Sequence, residues 1–407
     1  MKRFLHAHAT HPDWRMALAL AGAQIEAQRR EPDAGAQPTL GWIYLSDHYA
    51  AEAELLLAEL GQRWPGVSWV GAVGVGVAAG GVEYFEEPAL ALMLGEVPVS
   101  QFRVFSGARP LSGRRAGSFE PSTAQVHTDP TASDLADLIT EMSDRTATGY
   151  LFGGLSSART RALHIADGVF QGGLSGVAFG REVTLLSRVT QGCQPVGPVR
   201  RITQAERNLV ISLDGEPALD CLLRDLQISN LEPREALPKL RQTLVGLSDS
   251  TDDALARPGQ FGTDTRVRHL VGLDPARRGV AIGDDAEAGM QLAFCTRHTE
   301  AARRDLVRIC SEIREELEPE SLPLEAAMTL RGNDAEAAGT HPARRIAGAV
   351  YVSCSGRGGP HFGAPSAELA LVRHALGDVP LIGFFAAGEI ARHHLYGYTG
   401  VLTVFID

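Results

Sequence analysis

The residues of this chain best suited to chemistry lie in two short runs near its end, each at the exit of an apolar strand. The first reads Tyr351-Val352-Ser353-Cys354-Ser355-Gly356-Arg357-Gly358, and the second Gly383-Phe384-Phe385-Ala386-Ala387-Gly388-Glu389. Ser353 stands where a strand gives way to a helix, and Ser46 has the same setting in the first half of the chain. Their hydroxyls, with the backbone N–H groups that follow, could face an anion, because helix N-termini carry unpaired donors and partial positive charge. Arg357, between Gly356 and Gly358, can hold a carboxylate or phosphate through two parallel hydrogen bonds. Glu389 can balance Arg357 or bind an ammonium group, so that Ser353, Ser355, Arg357 and Glu389 would read both ends of an amino acid. The alternative is an Arg357–Glu389 ion pair that only ties two loops together.

Cys354 opens a second possibility. A thiol at a strand-to-loop corner near Glu389 suits acyl or thiol chemistry, which would make the chain a transferase or hydrolase working through Cys354 and Glu389. Such a nucleophile needs a base, and spacing alone brings none of His361, His374, His393 and His394 to it. Cysteine is also among the most often buried residues. His6 and His8 share a strand face and His393 and His394 are adjacent, but neither pair has the further ligands of a metal site. The glycines from Gly71 to Gly76 imitate part of a dinucleotide fingerprint without the helix that should follow. No cofactor, no metal and no catalytic residue is therefore assigned, outside the Cys354 alternative.

The elements that must position these groups form an internal repeat. Residues 41–46 read as a strand, followed by a helix carrying Ala53-Glu54-Leu55 and ending at Gly61. A strand at 67–71, a Gly-rich turn and a strand at 89–94 complete the first copy. Residues 349–353, a helix carrying Ala367-Glu368-Leu369 and ending at Gly377, strands at 379–383 and 400–406 and a turn at Gly388 give the same order again. Tyr44-x-Ser46 matches Tyr351-x-Ser353. Two copies of a βαββ-like unit predict an α/β (α+β) protein of two similarly folded domains with mixed sheets, divided as 1–213 and 214–407. Helices are also predicted at 12–30 and at 300–317, the latter burying Ala301, Leu306, Ile309, Cys310 and Ile313.

Composition agrees with an ordinary globular protein. The 407 residues suit two domains, and 44% of them are hydrophobic. With 38 Lys+Arg against 49 Asp+Glu the net charge is −11, which argues against nucleic acid or an anionic membrane as partner. Five scattered cysteines without a CxxC fit a reducing cytoplasm, and no run approaches a membrane span.

Several stretches resemble the FIST (F-box and intracellular signal transduction) proteins. They are Tyr44-Leu45-Ser46 with Val70-Gly71-Ala72, Gly149-Tyr150-Leu151-Phe152-Gly153-Gly154, and the linker from Gly197 through Asp214-Gly215-Glu216-Pro217. To these add Val352 through Gly358, and Pro380 through Ile390 with Tyr398-Thr399. The resemblance runs from about Leu40 onward. It implies tandem N- and C-terminal FIST domains and a sensory module that binds a small ligand, an amino acid or a relative of one. No kinase, F-box or methyl-accepting segment is visible, so output would pass to a separate signalling protein; a plain interaction scaffold is the third reading. The resemblance places Ser46, Gly71, Ser353, Cys354, Ser355, Arg357, Gly358, Gly383, Gly388, Glu389 and Tyr398 at the ligand.

Overall fold

A short apolar strand that feeds a helix and then regains a parallel neighbour is the basic unit here, and among the described residues it occurs three times. The computed structural model describes residues 3–30, 37–111, 119–249, 265–317 and 346–407. The first copy contains Leu40–Ser46, the helix Ala53–Arg63, Ser68–Gly74, the hairpin Gly76–Ala79 and Val82–Phe85, and Ala89–Gly95. The second contains Ile346–Cys354, the helix Ala367–Leu376, Leu381–Ala386, the short strands Glu389–Arg392 and His394–Tyr396, and Thr399–Ile406. A third lies between them: Thr123–Thr128, the helix Leu135–Asp144, Tyr150–Leu155, the hairpin His164–Ala166 and Val169–Phe170, and Leu174–Phe179. In every copy the opening strand is parallel to the strand after the helix and antiparallel to the last.

The hairpins are exchanged. Gly76–Ala79 of the first copy pairs with Leu381–Ala386 of the second, and Glu389–Arg392 of the second pairs with Tyr150–Leu155 of the third. His164–Ala166 of the third returns to Ser68–Gly74 of the first. Leu5–Thr10, Phe102–Phe105 and Leu185–Gln191 cover the far edges, which gives three six-stranded mixed sheets. All three belong to one compact unit, Met1–Thr190 with Arg303–Leu395 and Thr399–Asp407.

Two of the copies are legible as sequence, but their letters align one residue out of step with space. Ile43 faces Gly71 across the parallel pair, Val126 faces Gly153, and Tyr351 faces Gly383. A Cβ on Gly71, Gly153 or Gly383 would sit 1.7, 1.9 or 1.7 Å from the carbonyl oxygen of that partner. This close approach makes Ile43 the counterpart of Tyr351, and Tyr44 the counterpart of Val352. The shared Tyr-x-Ser is therefore a coincidence of letters. Since a one-residue shift turns a side chain to the other face of a sheet, Tyr44 and Tyr351 point in opposite senses. The third copy escapes pattern matching because Leu135–Asp144 lacks the Ala-Glu-Leu of the other helices and its strands lack Tyr-x-Ser.

One face of the first sheet is covered by the helices Trp14–Gln28 and Ala53–Arg63, which bury Ala17, Leu18, Ile25, Leu56 and Leu60. Asp13 caps the former, accepting from the Arg15 N–H at 2.8 Å. The helix predicted at 300–317 is Thr299–Leu317, and Ala302 rather than Ala301 is its buried alanine. Side chains from the opposite sheet faces meet in an aromatic core. Tyr44 stacks on Phe384 at 4.9 Å, and Trp42 and Phe179 lie edge-on to Phe405 at 5.1 and 5.6 Å. A polar chain crosses this core: Trp42 Nε1 donates to Gln125 Oε1, Gln125 Nε2 donates to the Tyr44 hydroxyl, and that hydroxyl lies 3.2 Å from His127 Nε2.

The second compact unit is Gln191–Ala302 with Tyr396–Tyr398. Its strands pair in the order Arg200–Glu206, Leu209–Leu213, Gly279–Ile282, Arg266–Asp274, Thr243–Ser248 and Gln291–Arg297. The last also pairs with the first, so these six strands close into a ring, and the short strand Cys193–Pro195 adds to Gln291–Arg297 as the terminal strand of the sheet. Ala218, Cys221 and Leu222 of the helix Ala218–Asp225 fill its core together with Val245, Leu247, Val280 and Phe294.

The backbone contacts predict opposite outcomes for two glycines. Gly383→Ala drives a methyl into the Tyr351 carbonyl and should cost at least about 2 kcal/mol in urea unfolding. Gly61, inside the helix Ala53–Arg63, has nothing within 4 Å of its would-be Cβ, so Gly61→Ala should stabilise by about 0.5–1 kcal/mol.

Candidate functional site

Arg357 follows the strand Ile346–Cys354 in a tight turn, its N–H donating to the Cys354 carbonyl at 2.8 Å. Its side chain is only 1% exposed and its anion is Glu368, not Glu389. Nε and Nη2 both donate to Glu368 Oε1, at 2.9 and 2.7 Å. Tyr351 donates to the same oxygen at 2.6 Å, and Ser353 Oγ donates to the carboxylate at 3.1–3.2 Å. The guanidinium also lies 5.2 Å from the Phe362 ring centre. Burial pulls the Arg357 pKa down, but Glu368 outweighs it and holds the guanidinium charged. Burial and the same carboxylate push the Tyr351 hydroxyl well up.

The helix Ala367–Leu376 has its own anion too. Glu83, from the hairpin of the first copy, accepts from the Leu369 N–H at 3.2 Å and from the backbone of Gly359 and Glu368. Burial, reinforced by the neighbouring Glu368, raises its carboxyl to about 7. The positive end of this helix is thus filled from within the protein.

Glu389 is different. It is fully buried; Oε2 accepts from the Thr399 N–H at 3.1 Å and from Thr399 Oγ1 at 2.7 Å. Oε1 has no nitrogen or oxygen donor, and the Cys354 thiol is hydrogen-bonded to the carboxyl. Burial dominates and lifts the pKa to about 8, against the pull of Thr399, Arg357 and Cys354. At neutral pH the group is mostly a neutral acid.

The threefold repeat supplies an internal comparison. By strand register, Cys354, Asp129 and Ser46 are equivalent, as are Glu389, His164 and Val77. In the first copy Ser46 Oγ accepts from the Ala89 N–H at 2.9 Å, and Val77 is apolar. In the third, both His164 nitrogens are engaged, Nδ1 by Ser175 Oγ at 2.5 Å and Nε2 by the Gly172 carbonyl at 3.0 Å. Asp129 there accepts from Thr131 and Gly172; these bonds outweigh burial and hold its carboxyl below the usual range. Of the three equivalent rims, the second copy alone keeps a buried carboxyl oxygen without such a donor.

The structure brings Ser353, Cys354, Arg357 and Glu389 to this rim, with the Ser355 N–H donating to the Ala386 carbonyl and the Gly388 carbonyl accepting from Leu155. The hydroxyls of Ser46 and Ser353 are turned to internal partners rather than to a helix N-terminus. Gly71 and Gly383 sit inside the sheets, and a Cβ on Gly358 would lie 2.5 Å from the Phe85 ring. Tyr398 lies in the second compact unit, its hydroxyl 3.2 Å from His269 Nε2 and its ring under the Arg297 guanidinium. Among the described residues no three His, Cys, Asp or Glu side chains gather as a metal site. Sequence reasoning missed Tyr351, Glu83 and above all Glu368. Glu368 was detectable as a carboxylate one turn before Val372 on the buried stripe of an amphipathic helix.

Family models match this chain in tandem, the FIST N domain over residues 39–216 and the FIST C domain over 218–392. An uncharacterised protein of Mycobacterium tuberculosis H37Rv is 30% identical over 417 residues, covering 98% of both chains. Another, from Mycobacterium bovis, is 29% identical and covers 98% of this chain and 97% of its own. The chain belongs to the FIST family. FIST domains are described as sensory domains of signal transduction. No helix among the described residues of this FIST protein is long and apolar enough to cross a membrane.

Two outcomes follow for the FIST rim. Glu368→Ala leaves Arg357 buried without its carboxylate, and should cost about 3–5 kcal/mol in urea unfolding, whereas Arg357→Met with Glu368→Leu should recover most of it. Glu389 binds its proton more tightly folded than unfolded. Its contribution to stability is therefore complete below pH 4.5 and lost as pH rises through about 8. Stability measured from pH 6.5 to 8.5 should fall more steeply in the native protein than in Glu389→Gln, by up to about 1.4 kcal/mol per pH unit.

Proposed function

We propose that this FIST protein senses a small polar metabolite, an amino acid or a close relative, at the rim formed by Cys354, Ser355, Arg357 and Glu389. The observation that carries this reading is the buried Glu389 carboxyl, whose Oε1 lacks a nitrogen or oxygen donor while the equivalent positions of the other copies are apolar or satisfied. A ligand ammonium group would supply that donor and displace the acid proton. A ligand carboxylate would compete with Glu368 for Arg357, because buried ion pairs hold their geometry only while their partners stay matched. Loosening Arg357 from Glu368 would release the tie to the helix Ala367–Leu376, a change a separate signalling protein could read. The cysteines, none of them in a disulfide, suit a reducing cytoplasm as the site of action.

A second reading rests on the Cys354–Glu389 contact. Once ionised, Glu389 could take the thiol proton and leave a thiolate for acyl or thiol transfer, or for hydrolysis. The scaffold reading would need neither group.

A thermal-shift screen against amino acids, keto acids and phosphorylated metabolites separates these readings. A ligand at 100 times its dissociation constant stabilises the native state by about 2.7 kcal/mol. Arg357→Lys and Glu389→Gln are the informative variants, because Arg357→Ala would leave Glu368 uncompensated. A shift caused by an amino acid and lost in Glu389→Gln supports the sensor. Turnover lost in Cys354→Ser supports the enzyme. Partner capture that survives all three substitutions, with no shift by any compound, overturns both.

A further inference from the structure

Two buried cysteines in the second compact unit take no part in the rim described above. Cys193 lies on the three-residue strand Cys193–Pro195, which pairs with Gln291–Arg297 so that Pro195 faces Cys295 and Cys193 faces Arg297. Residues two apart on a strand share a face, so Cys193 and Cys295 are diagonal neighbours on one side of the pair. They pack in one cluster with Leu244 and Val267 beneath the Tyr398 ring, and their thiols are hydrogen-bonded to each other.

We propose that Cys193 and Cys295 form a peroxide-responsive dithiol–disulfide couple, a modification site separate from the Cys354–Glu389 rim. The two positions differ in the way such a couple requires. Cys295 belongs to a strand paired on both sides, with Thr243–Ser248 beyond it, and is fully buried. Cys193 belongs to a terminal strand of the sheet, three residues long, whose last residue is a proline without an N–H to donate. Short, weakly bonded edge segments open at low cost, so Cys193 meets solvent first while Cys295 waits behind it.

The chemistry balances. The Cys193 sulfur attacks hydrogen peroxide; an S–O bond forms, the O–O bond breaks, and the thiol proton leaves with the departing oxygen as water. The Cys295 sulfur then attacks the sulfenic sulfur; the S–S bond forms, the S–O bond breaks, and the Cys295 proton leaves with that oxygen as a second water. Two thiols lose two electrons and one peroxide is reduced. The product staples the edge strand to the closed sheet below Tyr398.

The test uses the full-length reduced protein exposed to hydrogen peroxide, then quenched with an alkylating reagent and mapped by mass spectrometry. The expected result is the loss of two hydrogens in one crosslinked peptide pair containing Cys193 and Cys295, reversed by a thiol reductant. Cys295→Ser should instead hold Cys193 as a sulfenic acid trapped by dimedone, and Cys354→Ser should leave the crosslink unchanged. Recovery of both cysteines as alkylated thiols from the oxidised native protein overturns the proposal, and so does a crosslink that runs through Cys221, Cys310 or Cys354. Mapping the unsubstituted protein keeps the result independent of whether a variant folds.

Discussion

Each copy of the repeat leaves one strand, the one after its helix, with an unpaired edge. Ser68–Gly74, Tyr150–Leu155 and Leu381–Ala386 are all apolar, and an open row of N–H and C=O groups there would be costly if buried and adhesive if exposed. The hairpin contributed by another copy covers each edge, and the exchange runs round all three copies until it closes. The sheets therefore cannot form independently. This explains why segments from both ends of the chain, before residue 190 and after residue 346, belong to one compact unit.

The same exchange builds the rim. Glu389 starts a strand that leaves the second copy's sheet for the third copy's, yet its carboxyl stays against Cys354 and Thr399 of its own copy. Glu83 likewise starts in the first copy and ends at the helix Ala367–Leu376 of the second. Acidic groups from different copies thus meet around Arg357 and its partner Glu368. Glu368 neutralises Arg357 directly, and Glu83 and Glu389 respond to burial by keeping their protons near neutral pH. Burial in a low-dielectric setting disfavours the charged form of a carboxyl, which is why Glu83 and Glu389 hold their protons more tightly than free acids do.

Much of the local structure was legible. Alternation of apolar runs with helices marks the first and second copies, because periodicity acts over a few residues; Gly377 closes the second copy's helix as expected, whereas Gly61 lies inside the first, which runs on to Arg63. The third copy was not legible, since its identity lies in strand pairing and in the close approach at Gly153 rather than in shared letters. The partner of Arg357 was misread for a related reason. The strand-exit pattern pointed to Glu389, and only packing turns Glu368 inward against Tyr351 and Ser353.

By itself the sequence determined the class of fold, the FIST resemblance, and the neighbourhood of Cys354, Arg357 and Glu389, because all of these depend on short-range pattern. Tertiary structure alone decided which carboxylate neutralises the arginine, which of three equivalent rims keeps an unsatisfied acid, and which thiols meet. Those are outcomes of distance and burial once the chain has packed. Electrostatic energy in a buried site depends on just those two quantities, and neither is written in the order of residues.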